Sequence, residues 1–147
     1  MSLSDQITKD LKEALKARDE LRISCIRMLK SGIKNRQVEK GETLEDKEIL
    51  SLIGSMVRKS QEAAKEFKKG GREDLAGKEE AEIKILSGYL PEQLEPDEIE
   101  KILKNIISDL SASSLKDMGK VMKAAMARMA GRAQGAEVNE IAKKLLS

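Results

Sequence analysis

The sequence predicts an all-α protein, a four-helix N-terminal unit followed by a small three-helix C-terminal unit. Three observations carry this. Apolar residues recur at i, i+3, i+4 and i+7 along most of the chain, the period of a helix with one covered face. Leu, Ile, Met, Ala, Lys and Glu dominate while aromatics make up 1% of the 147 residues, so good helix formers are abundant and strand formers scarce. The two prolines, Pro91 and Pro96, bracket a short EQLE segment and break the pattern. The expected organisation is therefore residues 1–90, a linker at 91–96, and residues 97–147.

Ile7, Leu11, Ala14 and Leu15 mark a first helix over about 4–18. Asp19 and Glu20 then supply the acids that favour a new helix N-terminus. The second helix, about 19–39, places Leu21, Cys25, Met28, Leu29 and Gly32 on one face and stops at Gly41. Thr43 followed by Asp46 reads as the cap of a third helix. Its stripe runs through Ile49, Leu52, Ile53, Met56, Val57, Ala63, Ala64 and Phe67 to the stop at Gly70 and Gly71. A fourth helix from about 73 carries Ala76, Ile83, Leu86 and Leu90 and ends at Pro91. Pro96 suits the first turn of a fifth helix, whose stripe is Ile99, Ile102, Leu103, Ile106 and Leu110. Ser114 with Asp117 repeats the capping pattern ahead of a sixth helix bearing Met118, Val121, Met122, Ala125 and Met129. Gly131 ends it, and Val138, Ile141, Ala142 and Leu145 define the seventh.

Net charge is +2, but it is unevenly spread. Residues 1–72 hold 17 basic and 12 acidic side chains, 73–110 hold 4 and 11, and 111–147 hold 7 and 3. An acidic middle repels phosphate while basic flanks attract it, so a nucleic-acid contact is expected at the ends. Within the last third, Lys116, Lys120, Lys123, Arg128 and Arg132 lie off the apolar stripe, with Lys143 and Lys144 on the last turn. The competing reading is an ordinary solvated helix face.

Other chemistries find little support. The chain has no His, which removes Ser-His and Cys-His nucleophile pairs and the most frequent general base. Cys25 sits between Leu21 and Leu29 on the apolar face and reads as a small buried hydrophobe. Glu79, Glu80 and Glu82 lack the His partners or loop glycine of zinc and calcium sites and read as a solvated face. Neither a phosphate loop nor a dinucleotide fingerprint is present. No catalytic residue, metal site or cofactor is expected. A membrane span is not expected either, since no apolar run is long enough. The first ten residues have no apolar core of a secretory signal, and one cysteine suits a reducing compartment, so the cytoplasm is the expected location.

The segments DMGKVM, GRAQG and EIAKKLL in the last third, with RISCIRMLKSGIKNRQVEKG at 22–41 and ILSGYLPEQL at 85–94, resemble the YqeY-like proteins, which are similar to the tail of the B subunit of tRNA-dependent amidotransferases (GatB). The YqeY resemblance covers essentially the whole chain, and that to the amidotransferase tail is strongest in the last third. It implies an RNA-binding accessory connected with glutamine-dependent amidation of tRNA, a carbon-nitrogen ligation whose chemistry lies in other domains. It also implies that Lys120, Lys123, Arg128 and Arg132 bind backbone phosphate. Proteins similar to this sequence commonly carry Asp or Asn where Gln134 stands, so a good N-cap is lost here. The alternative is an adaptor that docks a partner protein and never touches RNA. Scarce aromatics favour it, because base stacking needs rings.

Overall fold

The computed structural model describes residues 1–147 and contains only helices joined by short turns. The elements are α1 (Leu3–Ala17), α2 (Glu20–Lys40), α3 (Asp46–Lys69), α4 (Glu73–Ser87), α5 (Pro96–Leu110), a 3₁₀ turn (Leu115–Asp117), α6 (Met118–Arg128) and α7 (Gly135–Leu146). They form two compact units, Met1–Leu90 and Pro91–Ser147.

In the first unit α3 and α4 make the most extensive pair, and α1 with α2 makes a second. Ile7, Ile26, Leu29, Ile49, Ile53 and Leu86 are almost wholly excluded from solvent and form the core. Each such side chain contributes about 1.5–3 kcal/mol by leaving water. Gly32 allows α2 to approach α3, since a Cβ there would stand 3.3 Å from Leu52 Cδ2. The α1–α2 turn is closed without glycine: Arg18 takes a left-handed conformation (φ 55°), and the Asp19 side chain caps α2 by accepting from the Arg22 N–H.

Several details differ from the sequence reading. The cap of α3 is Glu45, in a reciprocal box with Glu48, two residues beyond Thr43. The helix thus starts two residues closer to Ile49, its first buried stripe position, than a cap at Thr43 would place it. Leu15, Met28 and Leu110 are exposed although they keep the helical period, because they lie at the edge of stripes that neighbouring helices cover only in part. α4 ends at Ser87 and not at Pro91, since Gly88 weakens the helix and the residue before a proline disfavours the α region.

Glu82 is buried instead of solvated, on the α4 face turned toward α2. Burial, then the charge of neighbouring Glu79, raises its pKa above the ordinary glutamate value of 4.5. The folded carboxyl thus holds its proton more tightly than the unfolded one. Its contribution to stability is full below about 4.5 and is lost as pH rises through the raised value. Glu82→Gln is expected to raise the melting temperature at pH 8 and to have little effect near pH 4, a difference read from thermal melts at the two pH values.

The second unit packs α5, α6 and α7 against one another around Ile99, Leu103, Ile106, Val121, Ala125, Met129, Val138 and Ala142. Of the methionines expected in this core, Met129 is fully buried while Met118 and Met122 are half-buried, as is Met126. At the end of α7, Leu146 is buried and Leu145 half-buried. Residues 91–94, read from the sequence as linker, are fastened to the α6–α7 loop of this same unit. Leu94 is buried and its N–H donates to the Arg132 carbonyl at 2.8 Å. Gln93 Nε2 donates to the Gly131 carbonyl at 2.7 Å. Two of the motif segments, YLPEQL and GRAQG, therefore meet as a clasp of one backbone and one side-chain donor on two backbone carbonyls.

Candidate nucleic-acid interface

Lys116, Lys120, Lys123, Arg128 and Arg132 are all exposed on the second unit. Lys116 lies in the 3₁₀ turn, which runs directly into α6. The turn is set by the Ser114 hydroxyl accepting from the Lys116 N–H, and by the Asp117 carboxylate accepting from the Ser113 N–H. The Ser114/Asp117 pair thus organises the approach to α6 and not its first α-helical turn. Lys120 and Lys123 follow on the solvent side of α6, opposite Val121 and Ala125. None of the three lysines takes part in an ion pair within the chain.

The two arginines are engaged differently. Arg128 Nη2 pairs with Asp109 Oδ2 of α5 at 3.1 Å, which ties α6 to α5 and neutralises part of its charge. Both side chains are about half exposed, so the pair adds little stability. Arg132 points its Nε at the Glu92 carbonyl at 3.5 Å while its own carbonyl accepts from Leu94. It is therefore part of the clasp. The structure leaves three lysines as freely presented cations and gives both arginines a second task.

The loop after α6 turns through Gly131 at φ 72°, a left-handed conformation that favours glycine. Gln134 occupies the N-cap position of α7 without a side-chain capping bond, and Glu137 supplies negative charge in the first turn. Lys143 and Lys144, at the opposite end of α7, line a shallow depression of about 480 Å³ with Leu115 and Glu140. Leu115 adjoins Lys116, so the fold brings the basic last turn of α7 beside the start of the lysine row. Sequence reading noted these two lysines without placing them at the site. Their position at a helix C-terminus, where cations are favoured, is the simpler reason for their presence.

Neither ring of the chain lies in this unit. Phe67 is half-buried in α3, and Tyr89 OH donates to Asp10 Oδ2 at 2.5 Å. The basic row can therefore contact phosphate and sugar but offers no platform for stacking bases. In the first unit, burial and then the charges of Glu82 and Glu79 push the Cys25 thiol up to about 11. A neutral buried thiol is a poor nucleophile. No group of three or more His, Cys, Asp or Glu side chains is arranged to hold a metal ion, and no helix is long and apolar enough to cross a membrane.

The sequence model of the Yqey-like protein family matches residues 4–146. The chain belongs to the YqeY-like family. Among its relatives is the protein named "Altered inheritance of mitochondria protein 41, mitochondrial" of Lachancea thermotolerans, 36% identical over 112 residues, covering 74% of this chain and 59% of that protein. Its namesake in Vanderwaltozyma polyspora is 33% identical over 107 residues, 71% of this chain and 58% of that protein. Another, in Pyrenophora tritici-repentis, is 28% identical over 134 residues, 90% of this chain and 74% of that protein. The chain thus spans somewhat less than three fifths of the length of the first two. These names correct the cytoplasmic expectation, since the relatives are designated mitochondrial. Composition misled here because a single cysteine and the lack of a long apolar run suit a mitochondrial protein equally well.

Proposed function

We propose that this chain is a tRNA-binding accessory protein related to tRNA-dependent amidation, acting through its C-terminal unit and leaving chemistry to a partner. The observation that carries the reading is the row Lys116, Lys120 and Lys123, exposed and free of internal ion pairs, the last two on the solvent side of α6 and the first in the turn that leads into it. Ammonium groups so placed can exchange condensed counterions for contacts with backbone phosphate, which makes binding strongly salt-dependent and nearly indifferent to sequence. The resemblance to the amidotransferase tail supplies the class of RNA. Without rings in the unit, recognition rests on the shape of a folded RNA and not on its bases.

A second reading, a protein-docking adaptor, draws on Leu110 and Leu115, which are 45% and 47% exposed at the two ends of the α5–α6 connection. The two readings separate in one experiment. Affinity for bulk tRNA, measured between 50 and 200 mM salt, should fall steeply for an RNA binder, with a slope of log affinity against log salt of roughly −2 to −3 for three phosphate contacts. An adaptor shows no measurable tRNA binding at either salt concentration.

A further inference from the structure

The groove between α1 and α2 in the first unit is distinct from the basic row of the second. α1 presents Ser4, Ile7 and Thr8 to it, and α2 presents Lys30, Ser31, Ile33 and Lys34. The space is about 450 Å³, within the range of small-molecule sites. Ile7 and Ile33 are buried core residues and make its floor. No acidic side chain lines it.

One of the two charges of the groove is fixed in place. Lys30 is half-buried and its Nζ donates to Thr8 Oγ1 at 3.2 Å, while the Thr8 hydroxyl donates to the Ser4 carbonyl at 3.1 Å. The ammonium is thus held at the wall by a hydroxyl lone pair and has no carboxylate partner. Lys34 stands one turn further along the same face, exposed and likewise outside any ion pair. A partly desolvated cation without a counter-ion attracts an anion more strongly than a fully solvated one. Two ammonium groups and nearby hydroxyls offer more donors than one carboxylate can accept, and they match the three oxygens of a phosphate monoester.

We propose that the α1–α2 groove binds a small organic phosphate, its phosphate held by Lys30 and Lys34 and its apolar part lying on Ile7 and Ile33. The full chain, labelled at isoleucine methyls, is titrated with butyl phosphate and in parallel with inorganic phosphate. Saturable shifts of the Ile7 and Ile33 methyls are expected, with butyl phosphate binding several-fold tighter. Lys30→Gln with Lys34→Gln should weaken binding by roughly tenfold or more, the scale of losing charge-assisted hydrogen bonds. Ser31→Leu, at an exposed helical position, should block the groove with both charges intact. Absence of a saturable shift, unchanged affinity in both variants, or inorganic phosphate binding as tightly as butyl phosphate would each overturn the proposal. Displacement of butyl phosphate by tRNA would assign the groove to RNA and overturn it as well; methyls that ignore tRNA leave it standing whatever the second unit binds.

Discussion

Leu103→Ala is expected to unfold the C-terminal unit while the first unit stays intact. Leu103 is wholly buried at the centre of α5, among Ile99, Ile106, Val121 and Val138. Truncating a leucine in such a site costs about 2–5 kcal/mol, from lost transfer energy and the cavity left behind. A three-helix core this small rarely supplies more than about 3–5 kcal/mol in total. The substitution thus removes most of what holds Pro91–Ser147 together. Amide hydrogen exchange should show protection lost throughout α5, α6 and α7 and retained in α2 and α3. Equal loss of protection in both units would mean that they unfold as one.

Asp10→Ala is expected to be the most damaging polar substitution, destabilising the first unit by about 3 kcal/mol, the loss of two part-buried hydrogen bonds to a carboxylate. Asp10 is 9% exposed and accepts from Gln6 Nε2 at 2.9 Å and from Tyr89 OH, with Arg22 Nη2 at 3.9 Å. These contacts fasten the segment after α4 to α1 and α2. Burial, then the hydrogen bond to Asp10 and its charge, raises the Tyr89 pKa well above 10.0, so the hydroxyl is held as a donor. Tyr89→Phe removes one hydrogen bond and leaves Asp10 its other partners. It should cost roughly 1–2 kcal/mol. Urea denaturation of the two variants gives both numbers, and a Tyr89→Phe loss equal to that of Asp10→Ala would place the whole effect in one bond.

Helix positions were legible because burial on one side leaves a periodic trace. Ile99, Leu103 and Ile106 could be read as core from spacing alone. How far a neighbour covers each stripe leaves no such trace, which is why Leu15 and Met28 are exposed and Glu82 is buried against the expectation from period and charge. Asp10 did carry a signal, an acid at i+3 from Ile7 and i−4 from Ala14 on an apolar face. The turn at Arg18 was invisible, since a left-handed conformation there uses no glycine. The clasp of Gln93 and Leu94 onto the Gly131 and Arg132 carbonyls joins groups about forty positions apart, and because both acceptors and the Leu94 donor are main-chain atoms, Gln93 is the one side chain whose identity it requires. For the basic row, sequence named the cations but could not show that Arg128 and Arg132 are engaged within the unit.

That distinction decides how the functional reading is best tested. Replacing Arg132 would disturb the clasp along with any phosphate contact, whereas Lys116, Lys120 and Lys123 can be neutralised with no internal partner lost. The direct measurement is tRNA affinity against salt for the parent and for the triple variant Lys116→Gln, Lys120→Gln and Lys123→Gln, with helicity checked by circular dichroism. A folded triple variant should bind more weakly at low salt, and its salt slope should flatten by roughly two to three units, somewhat under one per phosphate contact removed. Equal affinities and equal slopes in a folded variant would contradict RNA binding by this face.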